Sequence, residues 1–308
     1  MDVVIDTDPG IDDALALFFV LNSPELNVRA IVATYGNVNV QQSARNILNI
    51  LEIAAPSFIP PVIQGAGHPL RRCCLKRDYR IHGKNGLGNV NLPRPCLKPA
   101  KEGLSDILKK SKGISLVCLG PLTNLARLIL ANPDQPCCLG GLKEIILMGG
   151  AVTVPGNVTR FAEFNIYSDP ESAKIVFHCG IPITLVGLDV TRETLLTEDD
   201  LKSLDISNPE FCFIKRIACH YLKFHRKYRN MNGCFLHDPL AVAVAVDRSI
   251  VRTKKLSLQV VTKGDKRGQT FIKEDGQPNV DVCIKVDSER FMKLFRQRVL
   301  RRRFDEIR

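Results

Sequence analysis

The chain has 308 residues, 45% hydrophobic and 24% charged, with 43 Lys and Arg against 32 Asp and Glu for a net charge of +11. These proportions belong to an ordinary globular protein and exclude a disordered, collagen-like or coiled-coil chain. No apolar run approaches the ~18 residues of a membrane-spanning helix, and the opening MDVVID has no basic start and no small-residue cleavage site, so a cytoplasmic protein without a membrane partner is expected.

Short β-branched runs alternate with helical patterns through the first half. Val3–Ile5 is predicted as a strand and Asp12–Leu21 as a helix, followed by a Val28–Ala33 strand and a Val40–Ile53 helix. Val62–Gln64 reads as a short strand, after which a basic loop rich in Gly, Pro and Arg spans about residues 65–99. Leu104–Lys110, Leu122–Leu130 and Pro170–Phe177 are predicted helices, interleaved with strands at Ser115–Leu119, Glu144–Met148 and Ile183–Val186. Further on come helices at Glu210–Tyr228 and Asp238–Ala245, strands at Leu256–Val261 and Val280–Val286, and a closing helix at Ser288–Arg303. This alternation predicts one α/β domain over residues 1–308, with a mainly parallel central sheet flanked by helices. In open sheets of this kind ligands gather outside the carboxyl ends of the strands.

The positive charge is concentrated in two places. Residues 71–84 carry a net +5, and the basic C-terminal helix, at about residues 288–308, carries a net +6 over its residues 290–308. A nucleic-acid surface spreads its cations across a reading face, interleaved with aromatics; here there is one basic loop and one basic helix, so a nucleic-acid partner is not expected. The 11 cysteines, with vicinal pairs at Cys73-Cys74 and Cys137-Cys138, suit a reducing compartment and show no zinc-ligand spacing.

The chemistry is densest after the first strand, in VVIDTDPGIDDA. Asp6, Asp8, Asp12 and Asp13 fall within eight residues, and Pro9-Gly10 folds them back on one turn. Two carboxylates ~4 Å apart repel by about 4 kcal/mol at an effective dielectric of ~20. Either some are protonated or a cation sits among them. An all-oxygen donor set points to Ca²⁺ or Mg²⁺ rather than zinc.

Three other segments follow predicted strands or open helices. GPLTNLA, residues 120–126, puts Thr123 at a strand-to-helix turn, where its carbonyl can reach a metal. RFAEFNIYSDPE, residues 160–171, sets Glu163 and Asn165 two apart; an extended segment would point both to one side, a grip suited to a sugar. FLHDPLAVAVAVD, residues 235–247, opens an apolar helix on His237 and Asp238. Asp238 is expected to cap that helix and ligate a cation, and His237 to donate a proton. An Asp-x-Asp after a strand also opens haloacid-dehalogenase-type phosphatases, but Gly10 stands where they usually place Thr or Val.

Taken in order, DTDPGIDDA, YGNV, HGKNGLG, GPLTNLA, MGG, AEFNIYSDPESA and LHDPLAV, from Asp6 to about Asp247, resemble the inosine–uridine preferring nucleoside hydrolase family. The resemblance implies Ca²⁺-dependent hydrolysis of ribonucleosides to ribose and free base by a homodimer or homotetramer. It implies Asp8, Asp13, Asp238 and the Thr123 carbonyl as metal ligands, with Asp8 also the base for the attacking water. Asp12, Asn37, Met148, Asn157, Glu163 and Asn165 would grip the ribose. His237 would protonate the leaving base, His82 and Tyr228 would line its pocket, and Asp6 would support the acids from behind. A pyrimidine-restricted hydrolase and a non-catalytic nucleoside- or RNA-binding protein are the alternatives.

Overall fold

The computed structural model describes residues 1–71, 77–131 and 141–300. Both vicinal cysteine pairs, part of the basic loop and the end of the basic tail lie outside the described residues.

The first half runs β1 (Asp2–Thr7), α1 (Ile11–Leu21), β2 (Asn27–Ala33), α2 (Val40–Ala54), β3 (Val62–Gln64), α3 (Tyr79–His82), α4 (Leu104–Lys110), β4 (Ile114–Cys118), α5 (Thr123–Leu130) and β5 (Leu142–Met148). It continues with α6 (Phe164–Ser168), α7 (Pro170–Phe177), β6 (Ile183–Val186), α8 (Leu188–Thr191), β7 (Leu195–Leu196), α9 (Glu198–Lys202), α10 (Pro209–Arg229), β8 (Cys234–Phe235) and α11 (His237–Val246). The chain then forms β9 (Val251–Leu256), β10 (Leu258–Val260), β11 (Thr270–Ile272), β12 (Val280–Val286) and α12 (Ser288–Phe295).

Eight strands make one sheet in the order β3-β2-β1-β4-β5-β6-β12-β9. Every pairing in it is parallel except that of β9 with β12. The expected α/β domain with a mainly parallel, helix-flanked sheet is therefore present. Strand alternation builds the two layers. Val3 and Ile5 face one apolar core with α1, α2, α10, α11 and α12, while Val4 faces the other with α4, α5 and α7. Helix α1 is buried from Ile11 to Val20 and packs on α11, as a helix apolar on nearly all sides must. β1 lies between β2 and β4, so the chain leaves it in opposite directions across the sheet. The crevice at such a reversal is where an open α/β sheet takes its ligand.

Two predicted elements differ. The single strand expected at Leu256–Val261 is two strands, β9 and β10, separated at Ser257. β9 begins earlier because VRTKKL is an edge strand; its exposed Arg252, Lys254 and Lys255 hide the strand pattern and also discourage edge pairing. The closing helix ends at Phe295 and passes into a π-helical turn, Arg296–Leu300.

Candidate active site

The β1–α1 turn places Asp8, Asp12 and Asp13 at the carboxyl end of the central strand, all buried, with Asp238 brought alongside from α11. Oxygens of Asp12, Asp13 and Asp238 lie within 4.8 Å of one another. Asp13 does two jobs. It accepts from Gly10 N at 2.9 Å and so caps α1, and it also accepts from Thr7 Oγ1 at 2.6 Å and Asn37 Nδ2 at 3.2 Å.

Asp8 Oδ2 accepts from Asn37 N at 2.6 Å, whereas its buried Oδ1 has no partner among the described residues. Glycines flank this carboxyl for a steric reason: a Cβ at Gly36 would collide with Oδ2, and one at Gly120 would lie 2.6 Å from Oδ1. Asp6 accepts from Asn124 Nδ2 at 3.0 Å, and its other oxygen is also buried and unpartnered.

Burial raises the proton affinity of Asp13; burial reinforced by repulsion from the neighbouring acids raises that of Asp8 and Asp238 and lifts Asp12 to about 8. Asp6 rises to about 7, chiefly by burial. Four close carboxyl groups with no Lys or Arg ion pair among the described residues and one orphaned oxygen fit a hard divalent cation. The tightest oxygen set contains Asp12, which the family resemblance implies as a ribose ligand.

Asp238 does not cap α11, whose N-cap is Leu236 with no side-chain bond. The carboxyl lies among the other acids instead, with an oxygen within 4.8 Å of oxygens of Asp12 and Asp13. Thr123 is the first residue of α5. Its hydroxyl donates to Asp169 at 2.6 Å and accepts from Tyr35 at 2.9 Å, which pins the turn beside Asp8.

Glu163 and Asn165 are not on an extended segment. Glu163 is the N-cap of α6 and accepts from Asn165 N, Ile166 N and Gly150 N. Asn165 Nδ2 reaches the carbonyls of Leu119 at 2.7 Å and Met148 at 3.2 Å. The turn therefore joins the ends of β4 and β5. Asn157 is exposed on the loop after β5, where its N–H donates to the Ala162 carbonyl.

A wall of rings stands beside the acids. His82 Nδ1 accepts from Ile11 N at 3.0 Å and lies 3.9 Å from Asp12. Its ring packs on Tyr221, Tyr221 on His225, His225 on Phe235, and Phe235 on His237. His237 Nδ1 bonds Thr191 Oγ1 at 2.7 Å. Burial first, then neighbouring positive groups, pushes both His82 and His237 down to about 3. Tyr228 lies at the outer end, exposed, stacked on Phe224 with Arg80 and Lys227 over its ring.

Sequence reasoning missed Tyr221, His225 and Thr191. A helical spacing of four links Tyr221 and His225 to each other, but nothing local ties them to His237.

The inosine-uridine preferring nucleoside hydrolase model matches residues 3–293. This chain belongs to that family. As a nucleoside hydrolase it splits the N-glycosidic bond of nucleosides at an Asp-rich site able to hold a metal. Similar nucleoside hydrolases include a probable uridine nucleosidase 2 of Arabidopsis thaliana, 36% identical and matched over 97% of both chains. The pyrimidine-specific ribonucleoside hydrolase RihA of Klebsiella pneumoniae is 35% identical over 97% of this chain and 98% of its own. Among solved structures, the purine-preferring ribonucleoside hydrolase from Gardnerella vaginalis superimposes with a TM-score of 0.90 at 35% identity, covering 97% of this chain and 98% of that one. No helix among the described residues of this nucleoside hydrolase is long and apolar enough to cross a membrane.

Proposed function

We propose that the chain hydrolyses ribonucleosides to ribose and free base with Ca²⁺ held by Asp8, Asp13, Asp238 and the Thr123 carbonyl, with Asp12 close by. The observation that carries this reading is the buried acid group with no balancing cation of its own. When bound, the ion supplies Lewis acidity and a fixed point for the nucleophilic water. Asp8 takes the proton of that water. Asp12, Asn37, Met148, Asn157, Glu163 and Asn165 hold the ribose. Positive charge gathers on the sugar ring as the bond to the base lengthens, and ionised carboxylates beneath it stabilise that charge.

His237, oriented by Thr191, serves the departing base. It is neutral at rest, takes up a proton as negative charge gathers on the base, and passes it to the base nitrogen. His82 and Tyr228 line the base, and Asp6 supports the turn from behind.

The relatives' names span pyrimidine and purine substrates, and we assign this chain's base range to the wall against which the base would lie. A reducing-sugar assay on uridine, cytidine and inosine, with and without chelator, tests the reading. Ribose release from uridine and inosine that chelator stops is the expected result. Release from pyrimidine nucleosides alone would establish the restricted alternative, and full activity in chelator would end the cation's role.

A further inference from the structure

Arg192 stands at the edge of the base wall. It follows α8 as its C-cap residue, next to the Thr191 that bonds His237. Its side chain is half-buried, and Nη2 donates to the Gly156 carbonyl at 3.0 Å. A guanidinium has five N–H donors; among the described residues Gly156 is the one protein acceptor it meets.

No carboxylate of the described residues lies within ion-pair distance of Arg192. Asp189 attracts it, but the oxygens of Asp189 accept from Val152 N, Thr153 N and Thr153 Oγ1 at 2.6–2.9 Å. Of the other cations near the wall, Arg80 pairs with Asp78 at 2.7 Å and Arg226 with Glu198 at 2.6 Å, while Lys227 lies over the exposed Tyr228 ring, away from His237. Arg192 thus keeps its charge unbalanced on the side of the site opposite in sign to the acids, bridging the loop that carries Asn157 and the segment that orients His237.

We infer that Arg192 stabilises the negative charge that gathers on the base as the N-glycosidic bond breaks. The inference rests on the reading above that the base lies against His237. In this step the C1′–N bond breaks and its electron pair stays on the base nitrogen. The water oxygen bonds to C1′ and one water proton goes to Asp8, which later returns it to solvent, while the base nitrogen receives a solvent proton relayed through His237. The base is electron-rich only while the bond is breaking, so a fixed cation beside it favours the transition state over the bound nucleoside. Arginine suits the place better than lysine, because its fork keeps one N–H on Gly156 while another reaches a base carbonyl or ring nitrogen.

The test compares leaving groups. Wild type, Arg192→Gln and Arg192→Lys are assayed on uridine, inosine and p-nitrophenyl β-D-ribofuranoside, whose p-nitrophenolate departs without such help. In Arg192→Gln, kcat/KM on both nucleosides is expected to fall about 100-fold while the p-nitrophenyl riboside changes by less than about threefold, and Arg192→Lys recovers part of the loss. An equal fall on all three substrates, or no fall on any, overturns the assignment to Arg192 while leaving the hydrolase reading intact. A wild-type chain that cleaves none of the three overturns both.

Discussion

The two ends of the central strands treat buried acids in opposite ways. At the amino end, Glu144 on β5 is buried, accepts from Ser115 Oγ at 2.7 Å and pairs with the Arg248 guanidinium. At the carboxyl end, Asp8, Asp12, Asp13 and Asp238 are buried together with no lysine or arginine paired to them among the described residues, and Asp8 keeps an oxygen without a partner. One end spends its acid on holding the sheet. The other withholds the balancing charge, which leaves a site able to hold a metal ion.

Substitutions should separate the two ends cleanly. The largest effect is expected for Asp8→Asn, which should lower kcat by at least about 10³-fold through loss of the base. In chelator the same variant should melt no lower than wild type, because a repelling carboxylate has been removed; near-normal turnover would contradict the role. His237→Ala should cost about 10²-fold in kcat/KM on uridine. Its loss should be smaller on p-nitrophenyl riboside, and equal losses would place the residue with the sugar instead. Glu144→Ala should do the reverse of Asp8→Asn. It should lower stability by about 1–3 kcal/mol in urea unfolding with kcat unchanged, and a fall in kcat without a fall in stability would break the contrast.

A smaller effect follows from pH. Burial raises Asp6 to about 7 and Asp12 to about 8, against an unfolded value of about 3.9. The folded chain therefore binds more protons than the unfolded one up to those values, and its stability falls as pH rises through them. His82 and His237, held down to about 3, act in the opposite sense only below about pH 6.5. Between about pH 6.5 and 8.5 in chelator, the melting temperature should decline, and added Ca²⁺ should restore it. A melting temperature that is flat or rising over that range would contradict the acid assignment.

Much of the acid half of the site was legible in the sequence. Four carboxylates around Pro9-Gly10 cannot all be ionised on one turn without help, and that holds wherever the turn is placed. The sheet was legible for a similar reason: β-branched runs and helical patterns alternate with few interruptions. The rest depends on distant packing. Glu163 and Asn165 two apart suit an extended strand or a capped helical turn equally; in the fold Glu163 accepts from Asn165 N and Ile166 N to cap α6, and the distant Gly150 N–H holds the same carboxyl. Asp238 reads as a helix cap because residues before a proline often are, yet its carboxyl lies among those of Asp12 and Asp13. Thr191 ends a four-residue helix and Arg192 is its C-cap; nothing local ties either to the site, so their meeting with His237 and Gly156 appears only when β6 is set in the sheet.

Calorimetric titration of Ca²⁺ into the chelator-stripped chain tests the central claim most directly. One ion bound per chain is the predicted result, with binding lost in Asp13→Asn and in Asp238→Asn. Absence of binding, or binding that survives both substitutions, would contradict it.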